Sequence, residues 1–270
     1  MSSIITLPED VDAHRDRMWR REASLRVETA ADAERFIEEV GFANALTDAR
    51  RAGASLFIAV CGRRDVSLPR NVQKDEECSL AWRIKDDVMR RGSLYYAKLA
   101  RGRSMFVAAR LIPSFAAVWG VDRKDERERL SLTAQSILRV LRREHEMATG
   151  DLRAESGVTE RAVFTRSLDE LQRTMKVVPQ DVLYHPTFTY VWTLAEDRFP
   201  LQLKKKLKRE AAFTEIARAY LAAAGLTTPG ETARASGLTR PEAGIGNHRL
   251  VDEGYAVRIK RGVYQLARLS

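Results

Sequence analysis

The chain has 270 residues, 44% hydrophobic and 31% charged, an ordinary balance for a globular protein with room for one large or two to three small domains. No run approaches the roughly 20 apolar residues of a membrane span, and the charged N-terminus lacks the form of a signal peptide. Cys61, Cys78 and the scattered histidines His14, His145, His185 and His248 show no ligand spacing, so the chain reads as cytoplasmic, free of metal and cofactor, with reduced packed thiols.

Residues 1–21 are polar and poor in apolar period, and read as an arm or irregular lead-in within an N-terminal segment of residues 1–28. Thr29 is placed to cap a helix that buries Ala33, Phe36, Ile37 and Val40 and stops at Gly41. A short apolar run over 42–47 and another over 55–61 follow, then a polar connection over 63–77. From Cys78 the apolar Leu80, Ala81, Ile84 and Val88 recur at helical spacing until Gly92. Residues 94–98 and 104–108 then read as a hairpin whose tip, Ala100-Arg101-Gly102-Arg103, is basic. A short helical segment over 111–119 and a charged, linker-like stretch over 120–128 close this first unit of residues 29–120.

The second unit, residues 129–200, repeats the order. Ser131 caps a helix burying Ile137, Leu138, Val140 and Leu141, Thr149 opens a short helix, and Thr159 to Ala162 open a long one carrying Phe164, Leu168 and Leu171 inward. Val177-Val178 and Tyr190 to Leu194 supply strands, with residues 179–189 as a long loop between them.

The third unit, residues 205–270, is the clearest. A helix through Phe213, Ile216, Tyr220 and Leu221 stops at Gly225; Thr228 and Pro229 open a short helix closed by Gly237; Thr239 and Pro241 open a third, with Ile245, Leu250 and Val251 inward. Val257 and Ile259 alternate with Arg258 and Lys260 before the Lys260-Arg261-Gly262 turn and a returning strand. Helix, helix, helix and basic hairpin, three times over, give the expected fold: α+β, mainly α, with three tandem winged helix-turn-helix modules.

The basicity is concentrated. Residues 201–270 carry 13 Lys/Arg against 6 Asp/Glu, and residues 83–110 carry 8 against 2, so these two segments exceed the whole chain's formal charge of +9. Localised positive charge on winged helices points to a double-stranded DNA partner. The residues expected at that surface are Lys98, Arg101 and Arg103 on the first hairpin and Arg161 and Arg166 on the middle helix. In the last unit they are Arg240, Asn247, His248 and Arg249 on the third helix and Arg258, Lys260 and Arg261 on the hairpin. Glu160 and Glu170 beside Arg161 and Arg166 leave the middle unit open between DNA contact and a spacer packed between its neighbours. Trp82, Trp119 and Trp192 read as core anchors, and the carboxylate pairs Glu76-Glu77 and Asp86-Asp87 as surface charge.

Three segments carry a resemblance: Phe36-Ile37-Glu38-Glu39-Val40-Gly41-Phe42; Trp82-Arg83-Ile84-Lys85-Asp86 with Tyr95-Tyr96-Ala97-Lys98-Leu99; and Gly150-Asp151-Leu152-Arg153. In these the chain resembles the superfamily of bacterial YcaQ and AlkZ DNA glycosylases. The resemblance implies duplex DNA held in a channel lined by the three modules, and a role in repair of or protection from DNA damage. It also implies a Gln-hydrophobic-Gln or Gln-hydrophobic-Asp triplet that directs the attacking water. Here the matching place reads Asn44-Ala45-Leu46, whose third position cannot accept a proton; Asn44 and the nearby Asp48 are the remaining candidates for that chemistry. The reading favoured is a DNA-binding protein with lost or altered glycosylase activity. An active glycosylase and a protein-interaction or effector-binding module are the alternatives.

Overall fold

The structure is a computed structural model that describes residues 7–268. Its helices are α1 (Glu9–Met18), α2 (Ala30–Val40), α3 (Leu56–Cys61), α4 (Glu76–Arg91), α5 (Ile112–Trp119), α6 (Glu126–Arg129), α7 (Leu132–Glu144), α8 (Thr149–Glu155), α9 (Arg161–Arg173), α10 (Ala195–Arg198), α11 (Pro200–Lys204), α12 (Arg209–Ala224), α13 (Glu231–Ser236) and α14 (Arg240–Asp252). Its strands are β1 (Phe42–Asn44), β2 (Tyr95–Lys98), β3 (Ser104–Val107), β4 (Glu146–Ala148), β5 (Val177–Leu183), β6 (Thr189–Leu194), β7 (Leu226–Thr227), β8 (Ala256–Lys260) and β9 (Val263–Leu266). The expectation of a mainly helical α+β chain holds.

The strands form three small antiparallel sheets of one pattern, β1-β3-β2, β4-β6-β5 and β7-β9-β8. In each, a short strand after the first helix pairs with the returning strand of the hairpin, as Ala43 does with Phe106, Met147 with Trp192 and Leu226 with Gln265. Helix starts follow the side-chain chemistry of the sequence. Thr29 with Asp32 and Thr239 with Glu242 close reciprocal capping boxes, and Asp75 and Ser131 each accept one backbone N–H.

Four stretches depart from the sequence reading. The lead-in is a helix, α1, whose buried His14 and Arg15 face the third unit and whose buried Asp16 pairs with Arg64 of the first; residues 1–6 of that segment lie outside the described residues. The linker-like stretch contains α6, and its Glu126 is buried between Arg142 (2.7 Å) and Lys176 (2.6 Å). Strand β5 runs on past Pro179 to Leu183: Pro179 stays opposite Trp192, and the register shifts at Gln180, a bulge beside the residue that has no N–H to donate. On α14 the inward residues are Ala243, Gly246, Asn247 and Leu250, while Ile245 is exposed. Small residues set that stripe: a Cβ on Gly246 would lie 2.5 Å from the Phe213 carbonyl oxygen, so α12 and α14 touch almost backbone to backbone.

The first and third units share one core. Phe42 of β1 stacks on Tyr220 of α12 at 6.3 Å and meets Phe115 of α5 edge-on at 5.6 Å. The middle unit keeps its own core around Ile137, Leu141, Leu171 and Trp192. Its β5–β6 hairpin lies along α4, where Arg90 donates to Asp181 (2.7 Å) and to the Val182 carbonyl (2.8 Å).

Candidate functional site

The shared core places the first hairpin tip against the third unit. Gly237, at φ +89°, closes α13 where a Cβ would sit 2.8 Å from the Ala100 Cα, so the turn carrying Arg101 rests directly on it. Arg103 crosses the same seam and donates to the Arg234 carbonyl at 2.7 Å. Its Nε is buried without a partner, and burial, with Arg101 and Arg51 close by, lowers its pKa. A Cβ on Gly230 would meet the guanidinium groups of Arg234 at 3.4 Å and Arg240 at 3.5 Å, and one on Gly262 would meet Pro229 at 3.5 Å. Arg51, Arg101, Arg103, Arg234, Arg240 and the Lys260-Arg261 turn therefore follow one another along a single seam. The carboxylate beside it, Asp48, is held by Arg50 at 2.8 Å, with its pKa lowered by that hydrogen bond.

The other expected residues are placed as follows. Arg258, Lys260 and Arg261 are exposed on the hairpin, and Arg161 and Arg166 on α9, none of them in an ion pair among the described residues. His248 is exposed with Nε2 at 3.2 Å from the Tyr264 hydroxyl, and Arg249 lies 3.4 Å from Glu253. Lys98 is not at the seam: it donates to Asp169 at 2.8 Å and ties β2 to α9. Asn247, expected at the surface, is 5% exposed and faces Thr232, because the small-residue stripe turns it inward. In the middle unit the Glu170 carboxylate accepts from the Ser131 N–H (2.9 Å) and hydroxyl (2.6 Å), which occupies it as a helix cap.

Asn44 is 2% exposed and donates through Nδ2 to the carbonyls of Ala54 (3.3 Å) and Ala52 (3.4 Å). Its Nδ2 thereby supports the 44–54 loop, and its Oδ1 is buried without a partner among the described residues. Asp48 accepts from the Arg50 side chain and backbone and from the Leu68 N–H at 3.5 Å. Leu46, Thr47 and Asp48 line a cleft together with Arg50, Arg51, Leu68 and Arg103, whereas Asn44 does not reach it.

Leu46 and Leu68 also border a second, apolar compartment, walled by Trp82 of α4 and by Tyr184 and Phe188 of the middle hairpin. Trp82 is half-exposed there, so its expected place in the core is not observed; Trp192 is buried as expected. Beneath Trp82 the Lys85 ammonium lies 4.2 Å from the ring centroid, 2.6 Å from Asp86 and 2.7 Å from the Tyr190 hydroxyl. Burial lowers the Lys85 pKa, against the opposing charge of Asp86. Asp86, expected as surface charge, is fully buried and accepts from the Tyr184 hydroxyl at 2.6 Å. Nothing in the local sequence marked this pair, since the residues that cover it come from the hairpin a hundred positions on.

Fold and site together define a mainly helical α+β protein with three small sheets, a cationic seam and an apolar compartment opening beside it. The chain belongs to the AlkZ-related family, whose model matches residues 27–223, as the resemblance in its sequence implied. It is similar to the solved structure of the DNA glycosylase AlkZ of Streptomyces sahachiroi, with a TM-score of 0.59 and 14% identity over 95% of this chain and 69% of that one. At that identity the likeness is one of fold. No protein of curated function matches the sequence. Among the described residues no helix is long and apolar enough to cross a membrane, and no cluster of three or more His, Cys, Asp or Glu is placed to hold a metal ion.

Proposed function

We propose that this chain binds double-stranded DNA through three winged-helix modules and serves in recognition of DNA damage, without glycosidic hydrolysis by Asn44 or Asp48. The observation that carries the reading is the convergence, along one seam, of cations from the two basic segments, with the adjacent carboxylate of Asp48 neutralised by Arg50. Phosphate contacts need such a strip, and it makes affinity fall steeply with salt. The order helix, short strand, helix, helix, hairpin supports the winged-helix reading of each unit. Of the three long third helices, α4 is covered by the middle hairpin, α9 exposes Arg161 and Arg166, and α14 exposes Arg240, His248 and Arg249 with Arg240 on the seam itself, so α14 is the helix assigned to the major groove. Membership of a family named for a DNA glycosylase supports the choice of DNA over other polyanions.

The chemistry is assigned as absent because a water-directing group must be free to reach the reacting carbon: Asn44 is 2% exposed, and Asp48, which lines the cleft, is engaged by Arg50. Fluorescence anisotropy with a labelled duplex, measured across a salt series, tests the binding. The unmodified protein is expected to bind with a steep salt slope. The double variants Arg101→Ala/Arg103→Ala and Lys260→Ala/Arg261→Ala are each expected to flatten it by about one unit for every phosphate no longer neutralised. Absence of binding at low salt overturns the proposal. Strand breaks above background, after incubation with alkylated duplex and heating in alkali, overturn its non-catalytic part.

A further inference from the structure

We infer that the compartment beneath Trp82 is a binding site for a small planar aromatic anion, separate from the seam assigned to DNA. Its volume is about 960 Å³, within the roughly 300–1,000 Å³ of sites for drug-sized ligands. Large apolar side chains that a folded chain would ordinarily cover stand open on its walls: Leu68 39%, Val72 48%, Trp82 40%, Tyr184 46% and Phe188 44% exposed. The rings are held in place before anything binds. Trp82 rests on the buried Lys85 ammonium at 4.2 Å, the Tyr184 hydroxyl is fastened to Asp86 at 2.6 Å, and Phe188 meets Trp82 at 6.0 Å and Tyr184 at 5.8 Å, each edge to face. A flat ring system slides against such walls with little ordering cost.

Charge selects the ligand further. Arg83, one residue after Trp82 on α4, is exposed at the compartment with no ion pair among the described residues. Asp87, the carboxylate on the same rim, stands 3.5 Å from Arg90, which Asp181 also holds. Arg83 is thus a rim cation without an ion pair among the described residues, which matches a carboxylate or sulfonate on an aromatic frame. An unstacked nucleobase, recognised by hydrogen-bonding groups along its edge, is the competing occupant, since Gln73 and Ser79 also line the compartment, and probe displacement separates the two.

The test uses the full chain and 1-anilinonaphthalene-8-sulfonate, with the uncharged N-phenyl-1-naphthylamine as its partner probe. One equivalent of the sulfonate is expected to bind, with energy transfer from tryptophan. Trp82→Leu and Val72→Asp are expected to weaken it about tenfold or more; Val72 lies on the exposed lip, so its variant keeps the fold, which circular dichroism verifies. Arg83→Gln is expected to weaken the sulfonate several-fold and leave the uncharged probe unchanged. Several weak equivalents insensitive to Trp82→Leu and Val72→Asp would overturn the inference, as would equal weakening of both probes on Arg83→Gln. Displacement of the probe by duplex carrying an unpaired base would assign the compartment to DNA and overturn it too. Duplex affinity of the same variants, read with a separate label, is expected to stay within about twofold, so the DNA-binding proposal stands or falls independently.

Discussion

Arg15 and Glu231, 216 positions apart, form a buried ion pair at 3.1 Å that locks the first helix onto the third unit. The same guanidinium donates to the carbonyls of Ala224 (2.9 Å) and Leu226 (2.5 Å), so one side chain satisfies the end of α12 and the start of the last sheet. Arg15→Ala leaves Glu231 buried and unpaired, and is expected to cost about 3–5 kcal/mol of stability in denaturant unfolding. A loss below about 1 kcal/mol would mean that the pair behaves as a surface contact.

Acid should weaken the same joint. Burial alone would raise the Glu231 pKa, but the Arg15 charge and the Arg15 and Thr228 hydrogen bonds bring it below the ordinary 4.5. The folded carboxyl therefore gives up its proton more readily than the unfolded one. Its stabilisation is complete above the unfolded value and drains away as the pH falls through the lower folded value. Melting temperatures recorded from neutral to acid should drop in that range, and Glu231→Gln, though less stable at neutral pH, should show a shallower drop.

Two basic residues of the first hairpin should behave differently in duplex binding. Lys98 is engaged with Asp169, whereas Arg101 stands at the seam with no ion pair among the described residues. Arg101→Ala is expected to reduce affinity several-fold and lower the salt slope by about one unit, and Lys98→Ala to change the slope by much less. Equal slopes for the two variants would place the interface elsewhere.

Asp48→Asn tests whether that carboxylate is structural. It should lose about 1–2 kcal/mol of stability with the Arg50 pairing and the turn it holds, and base release from alkylated duplex should remain at background before and after the change. A base-release activity that vanishes on Asp48→Asn would reinstate Asp48 as a catalytic group.

Close approach of α12 and α14 predicts a severe response to one methyl group. Gly246→Ala puts a Cβ 2.5 Å from the Phe213 carbonyl oxygen, and is expected to cost about 1–3 kcal/mol as the helices move apart. Gly244→Ala, where a Cβ meets nothing within 4 Å on the same helix, should be neutral or stabilising.

The sequence by itself determined the main helices and the three hairpins, because caps, glycine stops and apolar period act within a few residues of one another; it did not mark α1, α6 or the short strands β1, β4 and β7. Thr29, Ser131 and Thr239 mark helix starts without help from the rest of the chain, and the concentration of cations in two segments is likewise a matter of counting. It also carried the family, through short runs such as Phe36 to Phe42 and Trp82 to Asp86. Tertiary structure alone decided what each side chain faces. Asn247 turns inward because Ala243 and Gly246 let α12 approach, and small residues leave only a faint hydrophobic signal. Asn44 is occupied by carbonyls of a loop that folds back on it, and Lys98 by a carboxylate seventy-one positions away. Trp82 lines an open compartment and Asp86 is sealed because a distant hairpin lies over α4. Long-range packing fixes such contacts, and periodicity along a single helix carries no information about which surface of another unit will cover it.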